Sequence, residues 1–167
     1  MPKLPLASVL LLLACSSSSS PYGGDGGGPK TVVINELFPG GASAVDPDWI
    51  ELKNVTDAAI DVSGYQIRDN NAADLFSLPG GTSIEAGGYL IIYCDDQADG
   101  GVAGGIHVPW KLSAGKGDEV HLLDASGREV DATTFGIDVP VDKSWGRLPD
   151  GTGSFLRTTP TQGTSNI

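Results

Sequence analysis

Two short acidic clusters, in "RDNNAAD" and "CDDQAD", have the residue types and spacing that could bind a metal ion. Calcium takes about six to eight oxygen ligands, and closely spaced Asp and Asn side chains can supply them. The candidate ligands are Asp69, Asn71, Asp74, Asp95, Asp96 and Asp99. Neither cluster has the glycine and final glutamate of an EF-hand loop, and Asp and Asn also shape ordinary turns. We therefore expect no metal cofactor, with a weak calcium site as the alternative.

The histidines and serines do not form a recognisable catalytic set. The sequence contains two histidines, His107 and His121. No serine lies in the G-x-S-x-G context of a nucleophile elbow, and no H-E-x-x-H zinc motif is present. Because an enzyme site needs its acid, base and nucleophile together, the sequence predicts a protein without catalytic activity.

Three tryptophans are candidates for binding a ligand, since an exposed indole can stack on a sugar ring. Trp49 and Trp145 lie in strand-like runs and are expected to pack in the interior. Trp110 lies in a loop-like stretch, "HVPWKL", and is the best candidate for an exposed ligand-binding residue, together with the nearby His107. Even for Trp110, however, the sequence favours packing in the core over exposure.

The N-terminal segment has the features of an export signal. A lysine precedes an apolar run, residues 4–14, whose 11 residues fall short of the roughly 20 that span a bilayer. A basic start, a short apolar stretch and a small residue are typical of a signal peptide. Leu12, Leu13 and Ala14 before Cys15 also resemble the lipobox of bacterial lipoproteins. The resemblance implies cleavage before Cys15, a diacylglyceryl thioether on its thiol, and acylation of the new N-terminus.

A flexible linker is predicted after the cysteine. Residues 16–30 consist almost entirely of Ser, Gly and Pro, a composition that buries too little apolar surface to fold. In the lipoproteins that the lipobox resembles, a residue other than aspartate after the cysteine implies transport to the outer membrane of a Gram-negative bacterium, and Ser16 stands here. The expected location is therefore the cell envelope, with the lipid anchoring the protein in the membrane.

The charge balance argues against a nucleic-acid partner. The chain has 21 Asp and Glu against 10 Lys and Arg, for a formal net charge of −11. Nucleic acids require clustered basic residues, and anionic lipid surfaces attract basic segments. We expect the partners to be the membrane, reached through the lipid, and an unidentified protein or polysaccharide ligand.

The sequence has two cysteines, and the second is expected to be inert. If Cys15 is acylated, Cys94 has no disulfide partner. Cys94 ends the run "GYLIIYC", which is typical of a core strand, so it is predicted to be a buried free thiol. A Cys15–Cys94 disulfide in a chain without a lipid is the alternative.

Short β-like runs separated by turns predict an all-β sandwich. The runs recur every 8–15 residues from Thr31 onward, and no segment has a sustained helical period. In "DWIELKNV", Ile50 and Leu52 alternate with Glu51 and Lys53, so the two pairs are expected on opposite faces of a strand. "DEVHLLD" and "REVDATTFG" are expected to form a hairpin with a left-handed glycine in the turn.

The order of these runs resembles the lamin tail domain family from Val32 to Asn166. The most specific pieces are "WIEL", the segment "LPGGTSIEAGGY", "KLSAGKGDEVHLLD", and the ending from "GRLPDGTG" to "TPTQGTSN". The resemblance implies a single immunoglobulin-like β-sandwich. Nuclear lamins also have a long heptad rod, which this chain lacks, so a filament-forming role is not implied. Bacterial members of the family are similar to adhesion or localisation modules.

The predicted organisation is a lipoprotein signal peptide (1–14), a lipidated cysteine with a linker (15–30), and a lamin-tail-like domain (31–167). The predicted function is a non-catalytic, lipid-anchored envelope module that binds a protein or an envelope polymer at the membrane surface. The alternative is a calcium-dependent or hydrolase-associated envelope component.

Overall fold

The computed structural model describes residues 30–40, 47–95, 104–136, 139–140 and 142–167. Numbered in chain order, the strands within them are β1 (Val32–Phe38), β2 (Asp48–Asn54), β3 (Ile60–Asp61), β4 (Gln66–Arg68), β5 (Phe76–Ser77), β6 (Ser83–Ile84), β7 (Tyr89–Cys94), β8 (Ile106–Val108), β9 (Asp118–Leu123), β10 (Glu129–Phe135), β11 (Ser144–Leu148) and β12 (Ser154–Thr158). Residues Ala72–Asp74 form a single 3-10 turn. No helix in these ranges is long and apolar enough to cross a membrane.

The strands form an immunoglobulin-like sandwich, which confirms the predicted fold class. One sheet has six strands in the order β12-β11-β1-β2-β7-β8, and the other has four in the order β10-β9-β4-β5. The short strands β3 and β6 pair separately. Neighbouring strands are antiparallel except for β7 and β8, which run parallel.

The core lies between the two sheets and is built by strand alternation. Every second residue of a strand points to the same face, and on one face of β2 these are Ile50 and Leu52, both fully buried. The opposing sheet contributes Ile67, Val120 and Leu122, which are also fully buried. The face of β2 that carries Glu51 and Lys53 points away from this core, as the sequence alternation predicts.

Turn residues divide the strands more finely than the sequence runs suggest. The run "AIDVSGYQIRD" is interrupted between β3 and β4, where Gly64 has a φ of +72°. The Asp61 carboxylate accepts a hydrogen bond from Ser63 N at 2.8 Å, and this local bond competes with strand pairing. The predicted hairpin of β9 and β10 is confirmed, with Gly127 at a φ of +83° in its turn.

One buried carboxylate joins the two sheets at their edge. Asp131 of β10 has a fully buried side chain and lies 2.9 Å from Arg147 Nη2 of β11. Its Oδ2 also accepts a hydrogen bond from the backbone N–H of Ile34 at 2.9 Å. The pairing of β1 with β2 shifts register just after Ile34. Asp131 therefore links β10 of one sheet to β1 and β11 of the other.

Candidate functional site

Two glutamates lie on the outer face of the six-stranded sheet, away from the core. Glu36 of β1 is the register partner of Glu51 of β2, while the adjacent pair, Leu37 and Ile50, faces inward. Both glutamates are nevertheless 0% exposed. A buried carboxylate is tolerated only where donors satisfy it, so the partners of Glu36 and Glu51 define this site.

The C-terminal strap, residues 159–167, covers the two glutamates. Thr161 donates to Glu36 Oε2 from its backbone N at 3.1 Å and from its hydroxyl at 2.9 Å. The backbone N of Gly163 donates to Glu51 Oε2 at 2.7 Å. The strap thus contacts both glutamates through neutral donors.

The second oxygen of Glu36 is satisfied by the strands beside it. The Ser144 hydroxyl of β11 donates to Glu36 Oε1. Thr158 Oγ1 of β12 lies 2.8 Å from Ser144 Oγ and 3.5 Å from Glu36 Oε1. Glu36 therefore connects β1, β11, β12 and the strap in one hydrogen-bonded group.

Asn35 connects Glu51 to a third carboxylate, that of Asp150. Asn35 Nδ2 donates to Glu51 Oε1 at 2.7 Å and to Asp150 Oδ1 at 2.9 Å. Its Oδ1 accepts a hydrogen bond from Gly151 N at 2.8 Å. The strap reaches this carboxylate as well, because Asn166 N donates to Asp150 Oδ1 at 3.2 Å. We refer to Glu36, Glu51 and Asp150 as the carboxylate triad.

Lys53 supplies positive charge to the carboxylate triad. Its Nζ lies 2.9 Å from Asp150 Oδ2, and it donates to the Tyr89 hydroxyl at 2.8 Å. The same hydroxyl donates to Asp150 Oδ2 at 2.8 Å. In the part of the chain that the structure describes, Lys53 alone forms an ion pair with a member of the triad. The group thus contains more carboxylates than cations.

The surroundings change the acidity of the triad in opposite directions. Burial raises the pKa of Glu51 from 4.5 to about 7, aided by the charges of Glu36 and Asp150 and opposed by hydrogen bonds from Asn35 and Gly163. Burial likewise raises the pKa of Glu36. At Asp150 burial is outweighed by hydrogen bonds, notably from Asn35 and Lys53, so the pKa of that carboxyl is lowered.

This arrangement can hold the C-terminal strap in place, but it does not present a carboxyl group to a substrate. The hydrogen bonds that Glu36 and Glu51 accept come from their own domain, and neither side chain is exposed to a substrate in solution. A general acid or base must reach the group whose proton it transfers. The triad instead holds the C-terminal strap on the outer face of the sheet.

The predicted ligand-binding residue His107 lies on β8, and both of its ring nitrogens contact oxygen atoms of the same chain. Nδ1 lies 2.8 Å from Asp95 Oδ2, and Nε2 lies 3.2 Å from the carbonyl oxygen of Gly104. The imidazole stacks on Tyr93 with ring centroids 5.2 Å apart. The structure therefore brings together His107 and Asp95, which the sequence suggested for two different roles. Ligand binding by His107 stays a prediction.

Trp110, a candidate ligand-binding residue, is buried in the core, the role that the sequence favours for it. Its side chain is 6% exposed and belongs to the hydrophobic core. The segment that carries it is held against β2, because Leu112 N donates to Asp48 Oδ2 at 3.0 Å. Trp110 is therefore not available for stacking on a sugar.

The first acidic cluster forms a turn. Asp69 Oδ1 accepts a hydrogen bond from Asn71 N at 2.7 Å, and Asn71 Nδ2 donates to Asp74 Oδ2 at 2.9 Å. Asn71 also caps the 3-10 turn by accepting from Ala73 N. In the second cluster, Asp96 and Asp99 lie outside the described residues. Among those described, no group of three or more His, Cys, Asp or Glu side chains could hold a metal ion.

A match to a family model shows which protein family this chain belongs to. The family model for the Lamin Tail Domain matches residues 27–136. This chain belongs to the lamin tail domain family. Lamin tail domains are immunoglobulin-like modules that are not typically catalytic. A search of curated proteins found no match to the chain.

The match ends before the last part of this lamin tail domain. It includes β1 to β10 and stops at residue 136, so β11, β12 and the strap lie beyond it. Two members of the triad, Glu36 and Glu51, are inside the matched range, whereas Asp150 and the strap donors are outside. The resemblance in the sequence extends further, to Asn166.

Sequence reasoning missed the triad of this lamin tail domain. It placed Glu51 correctly on the face opposite Ile50 and Leu52, but it did not single out Glu36 or Asp150. Two signals were present: "VVINELF" has an acidic residue within a mostly apolar run, and "TPTQGTSN" is rich in hydroxyl groups. Together they indicate a buried acceptor and a segment of donors, although not that the two meet.

Cys94 is a buried free thiol, as predicted. It is 0% exposed and lies in the core cluster at the end of β7. Burial, with added repulsion from Asp48 and Asp95, raises the pKa of the thiol well above its usual range. Reaction requires the thiolate, so this lamin tail domain should protect Cys94 both sterically and electrostatically. The predicted lipidation residue Cys15 and the motif residues before it, like all of residues 1–29, lie outside the described residues.

Cys94 is expected to resist thiol reagents until the domain unfolds. The measurement is labelling of the Cys15→Ser chain with a disulfide reagent, with and without denaturant. A second thiol placed at Ser126, which is exposed in the β9–β10 turn, is the control and should react at once. Equally rapid labelling of Cys94 in the native chain would contradict its burial.

Proposed function

We propose that this lamin tail domain is a non-catalytic module that a lipid on Cys15 holds at the cell envelope, where it binds a protein or an envelope polymer. The proposal rests on one sequence observation. Leu12, Leu13 and Ala14 precede a cysteine that is followed by a Ser, Gly and Pro tract, and the first strand begins only at Val32.

The distance between anchor and domain suits a tether. A flexible chain has an end-to-end distance of about 5–6 Å times the square root of its length, so the linker would reach roughly 20 Å. One acyl chain gives marginal membrane binding and several give stable anchoring, as expected for a lipidated cysteine with an acylated N-terminus. Ser16, in place of aspartate, supports the outer membrane as the location.

Several contacts support a role without catalysis. Both nitrogens of His107 contact acceptors of the same chain. His121 of β9 forms a hydrogen bond to Glu129 through Nδ1 at 2.6 Å, whereas its Nε2 lies 3.1 Å from Glu119 without forming a hydrogen bond. The carboxylate triad is occupied by the strap. Groups engaged in this way stabilise the domain, and the Ser144 hydroxyl that donates to the Glu36 carboxylate is fully buried together with it.

Replacing Cys15 by serine is expected to release the protein from the membrane fraction. Serine cannot form the thioether, so the chain should keep its signal peptide or appear in the soluble fraction. Cells that express the wild type, Cys15→Ser and Cys94→Ala are fractionated and labelled with an alkyne analogue of a fatty acid. The wild type and Cys94→Ala should be labelled and membrane-bound, whereas Cys15→Ser should be unlabelled, and any of it that stays with the membrane should retain residues 1–14. A soluble, unlabelled wild type would contradict the anchor.

Binding is tested on the anchored chain itself. The full-length protein, solubilised in detergent, is used to capture partners from envelope extracts, with Cys15→Ser as the matched bait. Its turnover of generic esterase, phosphatase and glycosidase substrates is measured in parallel. A turnover that persists through repurification, and that is lost in His107→Gln, would contradict the non-catalytic role.

A further inference from the structure

We propose that the C-terminal strap is a pH-dependent clasp, which lies over Glu36 and Glu51 when one of these carboxyls is protonated and lifts from the sheet when both are ionised. The inference concerns a movement within the domain. It is independent of the lipid anchor and of the partner.

The charges around Glu51 are unbalanced. Glu36 faces it from β1, Lys53 from its own strand, Tyr89 from β7, and Asp150 from the turn between β11 and β12. Residues 159–167 of the strap have no ionisable side chain. Among the described residues, the three carboxylates therefore have one lysine in their group, and it forms its ion pair with Asp150.

The guanidinium of Arg147 does not neutralise the excess negative charge of the carboxylate triad. Arg147 of β11 directs its guanidinium to the core side of the sheet, where Nη2 lies 2.9 Å from Asp131 and Nε donates to the carbonyl of Ile34 at 2.7 Å. The guanidinium also contacts the Phe155 ring, 4.5 Å from its centroid. Its charge is committed to the other carboxylate, and its backbone carbonyl is what accepts a hydrogen bond from Asn166 of the strap.

The strap creates the burial that makes ionisation costly. Thr161 and Gly163 cover Glu36 and Glu51 directly, at 2.7 to 3.1 Å. Like charges within a buried group repel strongly, and desolvation penalises the charged form. Lifting the strap would return water to both carboxylates and relieve the repulsion.

The sign of the pH dependence follows from proton linkage. The pKa of Glu51 is about 7 under the strap and 4.5 in its ordinary, solvated state. The closed form therefore binds more protons than the open form, and rising pH favours opening. Between pH 4.5 and pH 8 the ratio of open to closed strap should increase by up to about a hundredfold, the limit reached if opening returns Glu51 fully to water.

Hydrogen exchange of the strap amides tests the clasp without any substitution. The full chain in detergent is exchanged at pH 5.5, 7 and 8.5, and each rate is divided by the intrinsic rate at that pH. The protection of residues 161–166 is expected to fall by up to about thirtyfold across the series. The amides of the β9–β10 hairpin, in the other sheet, serve as the reference and should keep their protection.

Replacing Lys53 should make the strap open more readily at neutral pH. In Lys53→Met the triad has no ion-pair partner, so strap protection at pH 7 is expected to drop at least tenfold below the wild type. Lys116→Met changes a lysine exposed in a distant turn and should match the wild type. Three results would overturn the proposal. Protection of the strap amides could be independent of pH, it could fall only together with that of the reference hairpin, or it could be the same in Lys53→Met as in the wild type.

Discussion

Replacing Asp131 by alanine is expected to destabilise the folded domain by about 3–5 kcal/mol, the usual cost of breaking a buried ion pair from one side. The side chain of Asp131 is fully buried against Arg147. Alanine would leave the Arg147 guanidinium and the Ile34 N–H without this acceptor. Domains of this size are stable by about 5–15 kcal/mol, so the loss would be a large share of the total.

Urea unfolding, followed by tryptophan fluorescence, measures this effect. Asp57→Ala is the matched control, because Asp57 is exposed and its loss should change the free energy of unfolding by less than about 0.5 kcal/mol. Asp131→Asn keeps one acceptor and should fall between the two. A cost for Asp131→Ala as small as that of the control would show that the carboxylate does not join the sheets.

Ionisation of Glu51 is expected to lower the free energy of unfolding by at most about 3.5 kcal/mol as the pH rises from 4.5 to above 7. The pKa of Glu51 is about 7 in the folded domain and 4.5 in its ordinary state. In this window the folded state holds a proton that the unfolded state has released. Stability is therefore fully present below pH 4.5 and is lost as the pH approaches the folded pKa. At about 1.4 kcal/mol per pKa unit, the difference gives this limit.

Other carboxyl groups also make the free energy of unfolding depend on pH, some in the same direction as Glu51 and others in the opposite direction. Glu36, whose pKa is also raised by burial, adds to the loss at higher pH. The pKa values of Asp61 and Asp150 are lowered by hydrogen bonds, so their contribution is present above pH 4 and lost below it. The domain should be most stable in mildly acidic solution. Lifting of the strap limits the loss at high pH, since it returns Glu51 to water.

Denaturant unfolding at pH 5, 6, 7 and 8 tests the slope. Glu51→Gln should be less stable than the wild type at pH 5, because an amide group would face the N–H donors of Asn35 or Gly163. Its stability should, however, vary much less with pH. Glu119→Gln, with a side chain that is 42% exposed in the wild type, should keep the full slope. A wild type that becomes more stable through this window would refute the assignment.

Local patterns were enough to predict much of the fold. The alternation in "DWIELKNV" predicts the two faces of β2, because the side-chain period of a strand is two wherever the strand lies. Gly127 predicts the β9–β10 turn, since a positive φ is favourable for glycine alone. Cys94 at the end of an apolar run predicts a buried thiol. Each of these features depends on residues within about ten positions of one another.

The features that local patterns missed depend on distant segments. Glu36 is buried by Thr161, which is 125 positions away, and Glu51 by Gly163, which is 112 away. Trp110 is buried where its segment meets Asp48, which bonds to Leu112 across 64 positions. An outward-facing glutamate is usually exposed, so propensity favours the wrong answer for Glu36 and Glu51, whereas core packing was the favoured role of Trp110.

The sequence by itself determined the fold class and the family, because periodicity, turn residues and motif order are properties of the chain before it folds. Its N-terminal pattern is also the whole basis for proposing a lipid anchor, since such a signal is read from the unfolded chain. The tertiary structure decided which charges are buried. Burial of an outward-facing residue depends on which remote segment covers it, and here the C-terminal strap converts two surface glutamates into a buried pair with a raised pKa.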